Sequence, residues 1–210
     1  MSADAAGGEA LRRYYSLHAR IYDTTRWSFL FGRSAILDLA VAGGPPRRIL
    51  EIGCGTGVNL RRLAREFPLA ELTGLDGSAD MLRVARRNLA AVGHRLTLRE
   101  GFYTGPLRPT PAPDLILFSY CLTMIHPGWE QVIEAAVGDL APGGRLAVVD
   151  FHGSDAAWFR RWMGVNHVRM ERDLLPKLKA TCRPEVAEVR PAYAGWWEYL
   201  LFIGIKAAGV

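Results

Sequence analysis

The chain has 210 residues, is 50% hydrophobic and carries a formal net charge of +5. That size affords one full hydrophobic core, and the ordinary apolar and charged fractions exclude a disordered or collagen-like chain. Three cysteines, Cys54, Cys121 and Cys182, make no disulfide framework, no Cys/His cluster has metal-ligand spacing, and no apolar run reaches the roughly 18 residues of a membrane span.

The first residues, Met1-Ser-Ala-Asp-Ala-Ala-Gly-Gly8, lack the charged-then-apolar order of a signal peptide, which predicts a cytoplasmic protein. The arginines are scattered rather than clustered. They suit an anionic substrate or an anionic membrane surface, and they argue against nucleic acid.

In chain order, residues 1–45 read as a helical preamble. Leu11, Tyr14, Tyr15, Leu17 and His18 share one face, apolar spacing continues from Trp27 to Ala42, and Gly43-Gly-Pro-Pro46 stops it. Strand and helix then alternate: strand 48–52, helix 57–67, strand 71–75, helix 78–92 with Gly93 as its C-cap, and strand 95–100. A proline-rich loop, 105–113, leads to strand 114–120, helix 129–141 and strand 145–151. Helix 154–167 and strands 185–191 and 196–205, joined by residues 192–195, complete the chain. This alternation predicts an α/β fold with a parallel sheet covered on both faces. The division expected is one domain, 1–210, with a helical lid (1–45), a cofactor-binding core (46–151) and a C-terminal helix and strand pair (152–210).

The chemistry concentrates where strand 48–52 ends. Glu51-Ile-Gly-Cys-Gly-Thr-Gly57 is an acid followed by glycines at alternate positions, then a helix. Such a turn lets a ligand approach the main chain and offers it helix-start amides. A dinucleotide fingerprint needs a third glycine where Val58 stands, and Glu51 would repel a pyrophosphate. The spacing therefore disfavours a nicotinamide oxidoreductase and favours a cationic cofactor. A second acid, Asp76, ends the next strand, where such a group accepts from ribose hydroxyls. Gly77 follows it, Ser78 is placed to cap the next helix, and Met81 to cover an adenine face.

Glu51 to Gly57, together with Leu75-Asp-Gly-Ser-Ala-Asp-Met81, resembles the first two motifs of class I S-adenosylmethionine-dependent methyltransferases. Pro113 to Ser119 resembles the family's fourth strand. Leu140-Ala-Pro-Gly-Gly-Arg-Leu-Ala-Val-Val-Asp150 resembles its Pro-Gly-Gly turn and fifth strand. The resemblance covers about residues 48 to 151. It implies a Rossmann-like doubly wound sheet with an antiparallel last strand, and S-adenosylmethionine as cofactor with S-adenosylhomocysteine as product. It also implies that Glu51, Gly53, Cys54, Gly55, Gly57, Asp76, Gly77, Met81, Ser119 and Tyr120 meet that cofactor. Phe102 stands where the family usually has a carboxylate, so Gly101 and Phe102 are carried over as adenine neighbours only.

Within this family the preamble, His18 to Arg33, looks like the lid of the betaine-lipid N-methyltransferases, as does Ser119 to Ile125 with Trp129-Glu130. Tyr22 would then close over the cofactor and Arg33 would pair with its carboxylate. The catalytic candidates are Tyr120 after strand four, His152 after strand five, and His167. Four of the six tryptophans lie beyond residue 150, as a cage for a methylated ammonium, an interfacial belt, or core. The expected activity is methyl transfer to a small or lipid-linked nucleophile, most readily an amine. The alternatives are a soluble metabolite methylated at N, S or O, and a catalytically silent cofactor-binding partner or sensor.

Overall fold

The computed structural model describes residues 30–165 and 167–207. Tyr22 and the preamble before residue 30 lie outside the described residues. Helix α1 (Arg33–Ala42) enters from Gly32. Strand β1 (Arg48–Ile52), helix α2 (Val58–Glu66), strand β2 (Glu71–Asp76), helix α3 (Ala79–Asn88) and strand β3 (Leu96–Glu100) follow. After the proline-rich loop come β4 (Leu115–Ser119), α4 (Trp129–Asp139), β5 (Arg145–Gly153), α5 (Ala157–Val165), α6 (Leu174–Thr181), β6 (Arg183–Ala192) and β7 (Trp197–Ile205).

These strands form one seven-stranded sheet in the order β3-β2-β1-β4-β5-β7-β6. Strands β1 to β5 pair in parallel, and β7 runs antiparallel to both β5 and β6. The register brings strand ends level: Ile52 pairs with Leu75 on one side and Phe118 on the other, and Asp76 pairs with Glu100. The first chain reversal in strand order falls between β1 and β4, and a ligand crevice opens at the carboxyl ends there.

Alternate strand residues serve opposite cores, as the pleat requires. Ile49, Leu72, Leu115, Leu117, Ala147 and Val149 pack with α1, α2, α3 and α5. Leu50, Ile52, Ile116, Phe118, Leu146 and Val148 pack with α4 and α6. No described helix is long and apolar enough to cross a membrane.

Two expectations need correction. The helix predicted over 78–92 stops at Asn88, and a 3₁₀ segment, Ala90–Arg95, follows. Gly93 sits inside that segment with φ 66° and ψ −138°, so it is not the helix C-cap, which is Leu89. Helix α6 lies in a stretch, 168–184, to which the sequence reading assigned no element. Its Pro176 occupies the first turn, where a missing N–H costs nothing. The helix is held by Leu174, Leu175 and Leu178, all buried in the second core.

Candidate functional site

At the carboxyl ends of β1 to β4 lies a cleft of about 150 Å³. The glycine bend after β1 forms its floor. Gly53 has φ 71°, and a Cβ there would meet Cys121 Cβ at 2.8 Å, so only glycine fits. Gly55 has φ 53°, and a Cβ there would meet no protein atom within 4 Å; it would project into open space where the cleft begins. The bend is tied to the neighbouring strand: the amides of Gly53 and Cys54 donate to Leu75 O at 2.8 and 3.1 Å. Gly57 begins α2 in the left-handed region and packs close to Leu89, and it does not line the cleft.

Two carboxylates define the electrostatics. Asp76 accepts from the Gly55 amide through one oxygen at 2.7 Å and from the Ser78 amide through the other at 2.9 Å. Each oxygen keeps a second lone pair. Burial raises its pKa and the two amides oppose the rise. Ser78 caps α3 by accepting from the Met81 amide at 3.3 Å, which sets Met81 against the cleft.

Glu51 is 1% exposed. Its Oε1 accepts from Asn59 Nδ2 at 2.7 Å, whereas its Oε2 is buried with no hydrogen-bond partner. Burial pushes its carboxyl up to about 8, with the Asp76 charge adding to the rise; the Asn59 hydrogen bond, the Arg33 charge and the nearby Leu60 amide pull the other way. Asn59 Oδ1 in turn accepts from the Arg33 guanidinium at 3.1 Å. The chain Arg33–Asn59–Glu51 thus aligns a cation, an amide and an acid along one wall. A buried carboxylate oxygen with nothing to accept from is costly unless a ligand completes it.

The cleft brings together most of the residues singled out in the sequence. Arg33, Glu51, Gly53, Cys54, Gly55, Asp76, Gly77, Met81, Gly101, Phe102, Ser119 and Tyr120 all line it. Phe102 lies against Gly77 so closely that a Cβ there would meet its ring at 2.4 Å. Asn59 was not singled out, although a polar residue on the buried face of α2, between Val58 and Leu60, was a signal in plain sight. Asp150 was read only as part of the fifth strand. It is fully buried and accepts from the Leu122 and Thr123 amides and the Thr123 hydroxyl, which pins the segment after β4 beneath the cleft.

The three catalytic candidates are not gathered in one place. Tyr120 lines the cleft with φ 57°, but its hydroxyl donates to Phe31 O at 2.5 Å and burial lifts its pKa well above the usual value. His152 does not line the cleft. It borders a separate, water-sized cavity with Thr123, His126 and Trp129, where its buried Nδ1 has no hydrogen-bond partner and burial lowers its pKa. His167 is exposed in a turn after α5 and lines neither cavity. The reason is topological. β5 extends past β4 to Gly153, and the bulge between Phe151 and Gly153 carries His152 over the α4 and α6 side.

Residues 49–144 match the family model described as a methyltransferase domain. Trans-aconitate 2-methyltransferase of Pseudomonas aeruginosa is 36% identical over 116 residues, which are 55% of this chain and 40% of that protein. This chain therefore matches well under half the length of such relatives. The N-methyltransferase NodS of Bradyrhizobium japonicum, solved with S-adenosylhomocysteine, superposes with a TM-score of 0.67 at 22% identity, over 83% of this chain and 85% of that one. The 1,6-didemethyltoxoflavin-N1-methyltransferase of Burkholderia thailandensis gives 0.70 at 18% identity, over 99% and 92%. At those identities the likeness speaks to the Rossmann-like methyltransferase fold.

Proposed function

We propose that this chain, with a methyltransferase domain at residues 49–144, is an S-adenosylmethionine-dependent methyltransferase acting on a small-molecule acceptor. The observation that carries the reading is the buried, unpartnered Oε2 of Glu51 beside the glycine bend. It suits the cofactor's ammonium. Arg33 is placed for the cofactor's carboxylate, Asp76 for its ribose hydroxyls, and Met81, Leu75 and Phe102 for its adenine. When bound, S-adenosylmethionine supplies a methyl group made electrophilic by the attached sulfonium. The protein's task is to hold the acceptor in line and exclude water.

The favoured acceptor atom is a carboxylate oxygen. Among the described residues lining the cleft there is no histidine. The Tyr120 hydroxyl is spent on Phe31 O, and burial raises the Cys54 and Cys121 thiols far above neutrality. An acceptor that is already an anion at neutral pH needs no proton taken from it. The identity to trans-aconitate 2-methyltransferase agrees with this choice. N-methylation of an amine, including one on a lipid headgroup, is the second reading. Its support is an aromatic-lined groove near the cleft, but an ammonium would have to lose its proton to solvent before reacting.

Calorimetry with S-adenosylmethionine and S-adenosylhomocysteine tests the cofactor reading: absence of binding ends it. Transfer of labelled methyl to panels of small carboxylic acids, amines and extracted lipids then separates the acceptors. Base-labile label in the acid panel is the expected outcome. Label confined to amines or to the lipid phase replaces the first reading with the second.

A further inference from the structure

Helix α5 has two apolar faces. Phe159 and Met163 are buried, whereas Trp158, Trp162 and Val165 point outward with exposures of 64%, 49% and 76%. Those three recur at helical spacing along one exposed side, with Arg161 set among them. The turn before β7 adds Trp196, 64% exposed, whose ring meets Trp158 edge-on at 6.4 Å, and Tyr193. Together with Phe159 and Trp197 these rings line a groove of about 460 Å³ with almost no polar wall. Its floor is a stack of rings: Phe31 packs edge-on against Tyr193 at 5.0 Å and Trp197 at 5.7 Å, and Phe151 packs on Trp197 at 5.1 Å.

An exposed aromatic patch of this kind marks an interaction surface. The only charged residues on α5 are Arg160 and Arg161, both exposed; one Arg160 nitrogen is held by Ser154 O. Asp155, just before the helix, and Glu198 both pair with Arg172. A two-fold contact between copies through this face would set the arginine pairs against one another. Tryptophan beside arginine on an otherwise apolar helix face suits the boundary between headgroups and acyl chains.

We propose that α5 and the 193–196 turn form a docking surface for an anionic lipid bilayer. The exposed tryptophans enter the headgroup region and Arg160 and Arg161 meet lipid phosphates. Leu30 lines the cofactor cleft and Phe31 packs on the groove floor, so docking sets the cleft beside the membrane surface. The inference does not depend on which acceptor is methylated.

The test is co-sedimentation of the full chain with phosphatidylcholine vesicles, with or without phosphatidylglycerol, at low and high salt. The expected result is partitioning onto the anionic vesicles that weakens with salt, with tryptophan emission quenched by brominated acyl chains. Replacing Trp158, Trp162 and Trp196 with alanine together should weaken partitioning about 100-fold. Arg160→Gln with Arg161→Gln should weaken it about 30-fold on anionic vesicles only. Both variants should keep the wild-type circular dichroism and cofactor affinity. If the triple variant does not fold, Trp158→Gln alone and quenching of the wild type carry the test. No partitioning of the wild type, or variants that partition equally well, overturns the proposal. So does a wild-type dimer that the tryptophan substitutions dissociate, because the face would then belong to a second copy.

Discussion

The cleft and the tryptophan groove are both cavities, yet they are built in opposite ways. The cleft is backbone-made: a glycine bend, strand ends in register, and two carboxylates held by amides, all drawn from one stretch of alternating strand and helix. The groove is side-chain-made, from α5 and a turn much later in the chain that β7 folds back beside it. The first keeps polar groups buried and incompletely satisfied; the second keeps apolar groups exposed. Each arrangement costs free energy in the empty protein, and the sign of the cost indicates what relieves it. A buried carboxylate invites a cation. Exposed indoles invite an apolar or interfacial partner.

The sharpest way to break this division is Gly55→Val. Because a Cβ there meets no protein atom, the fold should survive with a loss of at most about 2 kcal/mol for the left-handed backbone. Cofactor affinity by calorimetry should fall by about 1,000-fold or more, roughly 4 kcal/mol, while vesicle binding stays intact. Retained affinity would remove the bend from the site.

Glu51→Gln should cost about 30-fold in cofactor affinity, the worth of a charge-assisted contact. It should also change the proton count. With its carboxyl pushed from 4.5 up to about 8, Glu51 stays protonated in the empty fold at pH 7. A bound cation draws that proton off. Binding enthalpy measured in buffers of different ionisation enthalpy should therefore report proton release by the wild type and none by the variant. The same shift sets a stability trend. Between pH 4.5 and about 8 the unfolded chain has released this proton and the native state holds it, so Glu51 lowers stability as pH rises through that window. Thermal melts of the variant should be flatter there.

Tyr120→Phe removes the hydrogen bond to Phe31 O and should cost about 1 kcal/mol of stability. Turnover should drop by less than about tenfold; a drop of 100-fold or more would place the hydroxyl in the proton transfer itself. Smallest of all, Trp158→Ala should leave cofactor affinity unchanged and stability within about 0.5 kcal/mol. A coupled loss of cofactor affinity would mean that groove and cleft are one site.

The N-terminal five strands and their helices were readable because each is a local statement. An apolar run ending in an acid, three alternate glycines and a helix with Leu60 and Leu63 on one side need no distant partner to be recognised. The cleft residues were legible for the same reason, since a parallel sheet delivers every strand end to one edge. Asn59 escaped because its value lies in joining Glu51 to Arg33, two residues from different elements. His152 and His167 were singled out because they follow a strand and close a helix. Their actual surroundings depend on a bulge in β5 and a turn after α5 that no local pattern announces.

From the amino-acid order alone follow the alternating architecture, the glycine bend, the paired acids and hence a cationic nucleotide-bearing cofactor, because backbone conformation and charge are encoded residue by residue. Only the three-dimensional packing decided which oxygen of Glu51 lacks a partner, that Tyr120 is tied to Phe31, and that Trp158, Trp162 and Trp196 stand together in the open. Those properties belong to pairs of elements. Burial and hydrogen-bond satisfaction are set by what each side chain faces after the sheet has closed, and a tryptophan reads the same in sequence whether it faces core or solvent.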